Sequence, residues 1–163
     1  MTRLFILGLA YIIVNPACRP RTSQIHFKRS DTLQSEGLNF DTSKIAIFNL
    51  SAEEWLSKRF DDTKPFNLTD ADLKTIDAVF IKCLIENNID TGHFHYKRQY
   101  VPFIDKAGHK KVWINCFCSD FNDDIAYWRK SIVLVSDGGS CFFNVIIDIM
   151  DNSFSNFSVN AVA

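Results

Sequence analysis

The apolar residues of this chain change period near residue 90, and that change decides the fold class. Before it, Leu73, Ile76, Phe80, Cys83 and Leu84 recur at steps of three and four, the spacing of one face of an α-helix. After it, short apolar stretches are separated by turns containing Gly, Asn and Asp, the mark of strands. One amphipathic helix followed by consecutive strands buries both by laying the helix on one face of an antiparallel sheet.

The boundaries follow from local chemistry. Phe48-Asn49-Leu50-Ser51 and Phe66-Asn67-Leu68-Thr69 are each followed by an acid three residues beyond the hydroxyl. This is the capping-box signature, with an apolar residue just ahead of the cap. It predicts a short helix over 51–60 and the main helix over 69–87, closed by Asn87-Asn88. Ile45–Leu50 reads as a short strand. Strands are predicted over 96–104, 111–118, 127–136, 141–150 and 154–159. The loop at 105–108 offers Gly108 for a positive φ, and Asp137-Gly138-Gly139 is the strongest turn signal in the chain. The expected fold class is α+β: one main helix packed on a curved antiparallel β-meander of four to five strands, with a short N-terminal strand and helix, as a single domain over 42–163.

The first 41 residues read differently. Arg3 precedes Leu4–Val14, an uncharged apolar run. The run is shorter than the roughly 20 residues a membrane span needs and matches the core of a secretory signal. Arg19, Pro20 and Arg21 then break it abruptly. The Ala17-Cys18 pair closing the apolar run resembles the processing site of bacterial lipoproteins, although Asn15 and Pro16 differ from that pattern. The resemblance implies a signal peptide over 1–17 and a lipid on Cys18, and with it a membrane as partner at the cell envelope. Residues 18–41 would be the lipidated Cys and a polar tether.

Net charge bears on partners. The chain carries 18 Lys+Arg against 19 Asp+Glu, a net −1. Removing residues 1–17 takes away Arg3 and no acid, leaving 17 against 19. Such a chain has no basic field for nucleic acid, and none is expected as a partner. About 145 residues with most of the 15 Phe suffice for one core.

The order of a helix followed by a meander over 69–163 is similar to the cystatin-like and NTF2-like α+β architectures. It implies a fold and no activity, and the Gln-x-Val-x-Gly loop of cystatin inhibitors is absent. The segments YKRQYVPFID, VWINCFC, DGGSCFFNV and FSVNAVA resemble a group of small exported bacterial lipoproteins, a likeness that also brings no activity.

Few residues suggest chemistry. Cys83, Cys116, Cys118 and Cys141 all fall on expected core faces, Cys116 and Cys118 together on one strand face. Buried free thiols, one or two disulfides, and a metal or redox site are the three readings; the sequence does not choose a pairing. His93 and His95 form an H-x-H with no third ligand at a convincing spacing. His26 and His109 stand apart in tether and loop. Asp120, Asp123 and Asp124 lack the spacing of a calcium loop. No cofactor or metal is expected, and no pair of groups suited to acid–base catalysis is evident. The candidate binding surface is the outward strand face carrying Lys111, Trp113, Asn115 and Phe117. Its aromatic and polar mixture suits a protein or small-molecule ligand. The competing reading is a second small core under the N-terminal elements. The expected function is a lipid-anchored binding domain of the envelope rather than an enzyme. A small hydrolase or metal-dependent enzyme using His93, His95 or the thiols is the alternative, and a purely structural envelope component is a third.

Overall fold

The computed structural model describes residues 41–89, 96–119 and 127–162. These belong to one compact unit spanning 38–163. In chain order the elements are β1 (Ile45–Ile47), α1 (Glu54–Arg59), β2 (Lys64–Pro65), α2 (Asp70–Glu86), β3 (Tyr96–Ile104), β4 (Lys110–Cys118), β5 (Phe142–Asp148) and β6 (Ser153–Val159). The sheet runs β1-β3-β4-β5-β6, with β2 beside the far end of β3. Strands β3 to β6 form the expected antiparallel meander, while β1 joins it in parallel. No helix among the described residues is long and apolar enough to cross a membrane.

The α2 helix starts as its sequence dictates. Asp72 N–H donates to Thr69 Oγ1 at 3.2 Å, and Thr69 N–H donates to Asp72 Oδ2 at 2.9 Å. At the other end Asn88 takes a φ of +55°, and Ile89 N–H returns to Leu84 O at 2.9 Å. The first helix departs from its signature. Asn49 accepts from Ser51 N–H at 3.1 Å and sets up a 3₁₀ turn over Leu50–Ala52. Helix α1 therefore begins at Glu54, and Glu53 makes no side-chain cap. An Asn two residues ahead of the backbone donor competes with the Ser51 cap and wins.

Residue parity separates two cores. From α2, Ile76, Val79, Phe80, Cys83 and Leu84 pack on Val112, Ile114, Cys116, Phe143, Val145 and Ile147, with Leu73 partly buried at the margin. Phe80 stacks on Phe143 at 6.1 Å between ring centres. Arg98 of β3 donates to Asp77 of α2 at 2.8 Å, both side chains only 12% exposed, and locks helix to sheet. The other sheet face is equally covered. Val101, Phe103, Trp113, Phe117 and Phe142 pack there against Leu56 and Phe60 around α1, and against Trp128, Ile132 and Val133.

Pro102 is tolerated inside β3 because of where the neighbouring strands stop. The pairing of β1 ends opposite Tyr100, and that of β2 begins opposite Phe103. Phe48 N–H donates to Tyr100 O, so by strand alternation the missing N–H of Pro102 faces this gap. In β6 one extra residue falls between the pairs Asn144–Ser158 and Ile146–Ser155, a bulge at which Asn156 takes a φ of +52°.

The strand expected over 127–136 is not a strand, and β4 pairs directly with β5. Side-chain amides take the place of a neighbouring strand. Gln99 Nε2 donates to Trp128 O at 2.6 Å and Ser131 O at 2.9 Å. Its Oε1 accepts from Val133 N–H at 2.8 Å and Asn115 Nδ2 at 3.0 Å. Asn115 Nδ2 also donates to Val133 O at 2.7 Å, and Asn160 Nδ2 donates to Val135 O. The Arg129 guanidinium lies 4.2 Å from the Trp128 ring centre and donates to the carbonyls of Ile45 and Ser43, tying the segment to β1. With its backbone polar groups met in this way, the segment lies across the sheet instead of joining it. Its exit is set at Gly138, whose φ of +94° and close approach to the Phe142 ring both exclude a side chain.

Candidate functional site

The proposed surface residues do not lie on an open face. Trp113 is 3% exposed and Phe117 1% exposed, both inside the second core. Phe117 packs edge-on against Trp128 at 6.0 Å. Asn115 bridges Gln99 to Val133, and Lys111 is drawn to the end of the sheet by Asp105 at 2.8 Å. The competing reading of this face, a covered second core, is the one realised, because α1 and 127–135 supply enough apolar surface to close it.

The cover leaves a seam. Between α1 and residues 133–135 lies a cleft of about 140 Å³, lined by Trp55, Arg59, Trp113, Asn115, Val133, Leu134, Val135, Phe142, Asn144 and Asn160. Trp55 and Arg59 are four residues apart on α1 and so share a helix face. Trp55 meets Trp113 edge to face at 5.8 Å. The Arg59 guanidinium lies 5.9 Å from the ring centres of both Trp113 and Phe60. Asn115 and Asn144 are register partners on β4 and β5, so their amides stand side by side on the floor. Asn144 Oδ1 accepts from the Trp113 indole N–H at 3.4 Å. Asn144 Nδ2 has no protein partner among the described residues. Two of the residues named from sequence, Trp113 and Asn115, thus reach the cleft by their edges. Trp55, Arg59, Asn144 and Asn160 were missed. The spacing of Trp55 and Arg59 was a readable signal; the alignment of Asn144 with Asn115 depends on strand register and was not.

Two larger depressions lack this combination. One of about 290 Å³, lined by Ile47, Phe48, Pro65, Phe66, Leu68 and Pro102 among others, opens at the gap between β1 and β2. The other, of about 410 Å³ beside α1, is shallow and open, with Asp61 and Asp62 on its rim.

The titratable clusters serve the fold. His109, Asp148 and Asp151 bring a possible metal-ligand set within 4.8 Å of one another. Their contacts are already matched, however. Asp148 Oδ2 faces His109 Nδ1 at 2.9 Å and Lys111 Nζ at 3.7 Å, and Oδ1 accepts the N–H groups of Met150 and Asp151. The cluster clamps the β3–β4 turn to the β5–β6 turn. The Asp148 hydrogen bond and charge raise the His109 pKa. Burial opposes the Asp148 charge, yet His109 and the two N–H donors hold its carboxyl below the usual value. The Lys111 hydrogen bond takes Asp105 down to about 2.

A raised folded-state pKa means that the His109 contact stabilises fully below the unfolded value of about 6.5 and fades as pH rises through the folded value. The two aspartates act oppositely: their contribution is present above about pH 4 and is lost as pH falls. The melting-temperature gap between the wild type and His109→Gln is therefore expected to be widest near pH 5 and to shrink toward pH 8.5. A gap constant across that range would refute the clamp.

The cysteines resolve into two kinds. Cys118 and Cys141 form a disulfide with a sequence separation of 23. It contributes about 3 kcal/mol by the loop-closure estimate, and it anchors the end of β4 to the 3₁₀ turn ahead of β5. Cys83 and Cys116 are free and fully buried. Burial pushes the Cys83 thiol up to about 11 and the Cys116 thiol well above its ordinary value, which suppresses thiolate. Cys18, His26, His93, His95, Asp120, Asp123 and Asp124 lie outside the described residues.

Comparison with known proteins adds no relative: no family model, no curated protein and no solved structure matches this chain.

Proposed function

We propose that this protein is an exported binding domain, anchored at the cell envelope by lipid on Cys18, that takes a small ligand in the cleft between α1 and residues 133–135. The observation that carries the binding reading is the lining of that cleft. It pairs two indoles with a guanidinium and three amides, and none of its residues is an acid, a histidine, a thiol or a hydroxyl. Apolar walls with a few placed polar groups are how ligand sites are built. A site without a nucleophile or a proton-transfer pair binds rather than reacts. The Cys118–Cys141 bridge supports the location, because disulfides persist in oxidising compartments.

Anchoring is tested by intact mass of the protein extracted from its own membranes. The expected species begins at Cys18, carries acyl mass and contains one disulfide. A species retaining Leu4–Val14, or one beginning at an unmodified Cys18, would refute the anchor and leave the cleft reading to stand alone.

A further inference from the structure

We propose that the cleft recognises a six-membered ring bearing a carboxylate; this rests on the cleft being a binding site. Size sets the ring. The cleft holds about 140 Å³, close to the roughly 150 Å³ of an engineered protein cavity that takes benzene. It therefore has room for one ring. The walls match a flat or chair-shaped body, since the two lining indoles, Trp55 and Trp113, stand nearly perpendicular at an interplanar angle of 83°.

Charge sets the substituent. Arg59 is the one charged residue in the lining, it is exposed, and it has no acidic partner among the described residues. Its neighbours Lys58 and Glu54 pair with each other at 2.7 Å and leave it alone. The planar guanidinium of Arg59 lies beside Trp113 in the lining, and Asn144 Nδ2 adds a second donor group from the floor. Donors from two sides, with no competing carboxylate, fit an anionic oxygen pair better than a neutral or cationic group. The remaining capacity, the carbonyl oxygens of Asn115 and Asn160, suits hydroxyl or amide hydrogens elsewhere on the ring.

The shared chemistry has two sources, an aromatic acid and an acidic sugar, and the test separates them. Calorimetric titration of the full chain in mild detergent uses benzoate and glucuronate, each against its neutral counterpart, benzamide and methyl glucoside. At least one acid is expected to bind about tenfold or more tightly than its counterpart, the usual advantage of a charge-assisted hydrogen bond. Arg59→Gln should erase that difference, and Lys58→Gln, which removes the adjacent cation outside the cleft, should keep it. Preference for benzoate identifies the aromatic source, and preference for glucuronate the sugar. Equal binding of acid and neutral compounds would overturn the carboxylate inference while leaving the cleft reading intact. Absence of binding by all four would overturn both.

Discussion

Replacing Phe80 by alanine is expected to destabilise the domain by about 3–5 kcal/mol, the range for emptying a large aromatic site in a packed core. Phe80 is 4% exposed, stacks on Phe143, and lies under the Arg98 guanidinium, whose centre is 5.1 Å from its ring. Truncation would leave a void between α2 and the sheet and would also remove the aromatic ring packed against the Arg98 guanidinium of the Arg98–Asp77 pair. A buried ion pair is costly to disturb, because its partners have been taken out of water. Chemical denaturation of the wild type and Phe80→Ala measures the difference. A loss below about 1 kcal/mol, the usual scale of surface changes, would mean that this face of α2 does not carry the core.

Replacing Gln99 by leucine should cost a similar amount, about 3–5 kcal/mol, through hydrogen bonds rather than packing volume. The leucine is close in size, so little cavity forms. The loss falls on the backbone: Trp128 O and Ser131 O lose their donor, and Val133 N–H loses its acceptor. Each buried group left unpaired costs about 1–3 kcal/mol. The segment relieves that cost by lifting toward water, so the variant is also expected to expose 127–135. Limited proteolysis should cut Gln99→Leu at Arg129 or Lys130 well before the wild type, while amide exchange in β4 and β5 stays slow. Unchanged stability together with unchanged protection at Val133 would show that the amide network does not hold the segment.

The parts of the fold readable from the sequence are those specified by neighbours in the chain. The Thr69–Asp72 cap, the stripe from Leu73 to Leu84 and the turn at Gly108 involve residues a few positions apart, and each is realised. The 127–136 segment was misread because Ile132, Val133 and Val135 have strand composition, while the backbone groups of Ser131, Val133 and Val135 are met by the side chains of Gln99, Asn115 and Asn160, some 18–34 residues away. Composition reports what a residue prefers, not which distant group meets its backbone. The covered second face was legible in principle. Val112-Trp113-Ile114-Asn115-Cys116-Phe117-Cys118 is apolar at nearly every position, the pattern of a strand buried on both sides. Only Lys111 and Asn115 interrupt the outward set, and both are engaged in contacts. The cleft was the least readable feature, since Arg59, Trp113 and Asn144 come from three elements and meet only once the register is set.

Chemical-shift mapping of the full chain tests the binding site most directly, using a mixture of small ring compounds, charged and neutral, without prior choice of ligand. The largest shifts are expected at Trp55, Arg59, the Trp113 indole N–H, the Asn144 amide and Asn160, while α2 and the turn at Asp105–His109 stay unperturbed. Shifts gathered instead along the groove at Pro65, Phe66 and Pro102, or the absence of any saturable shift at the indoles, would contradict the assignment of this cleft as the site.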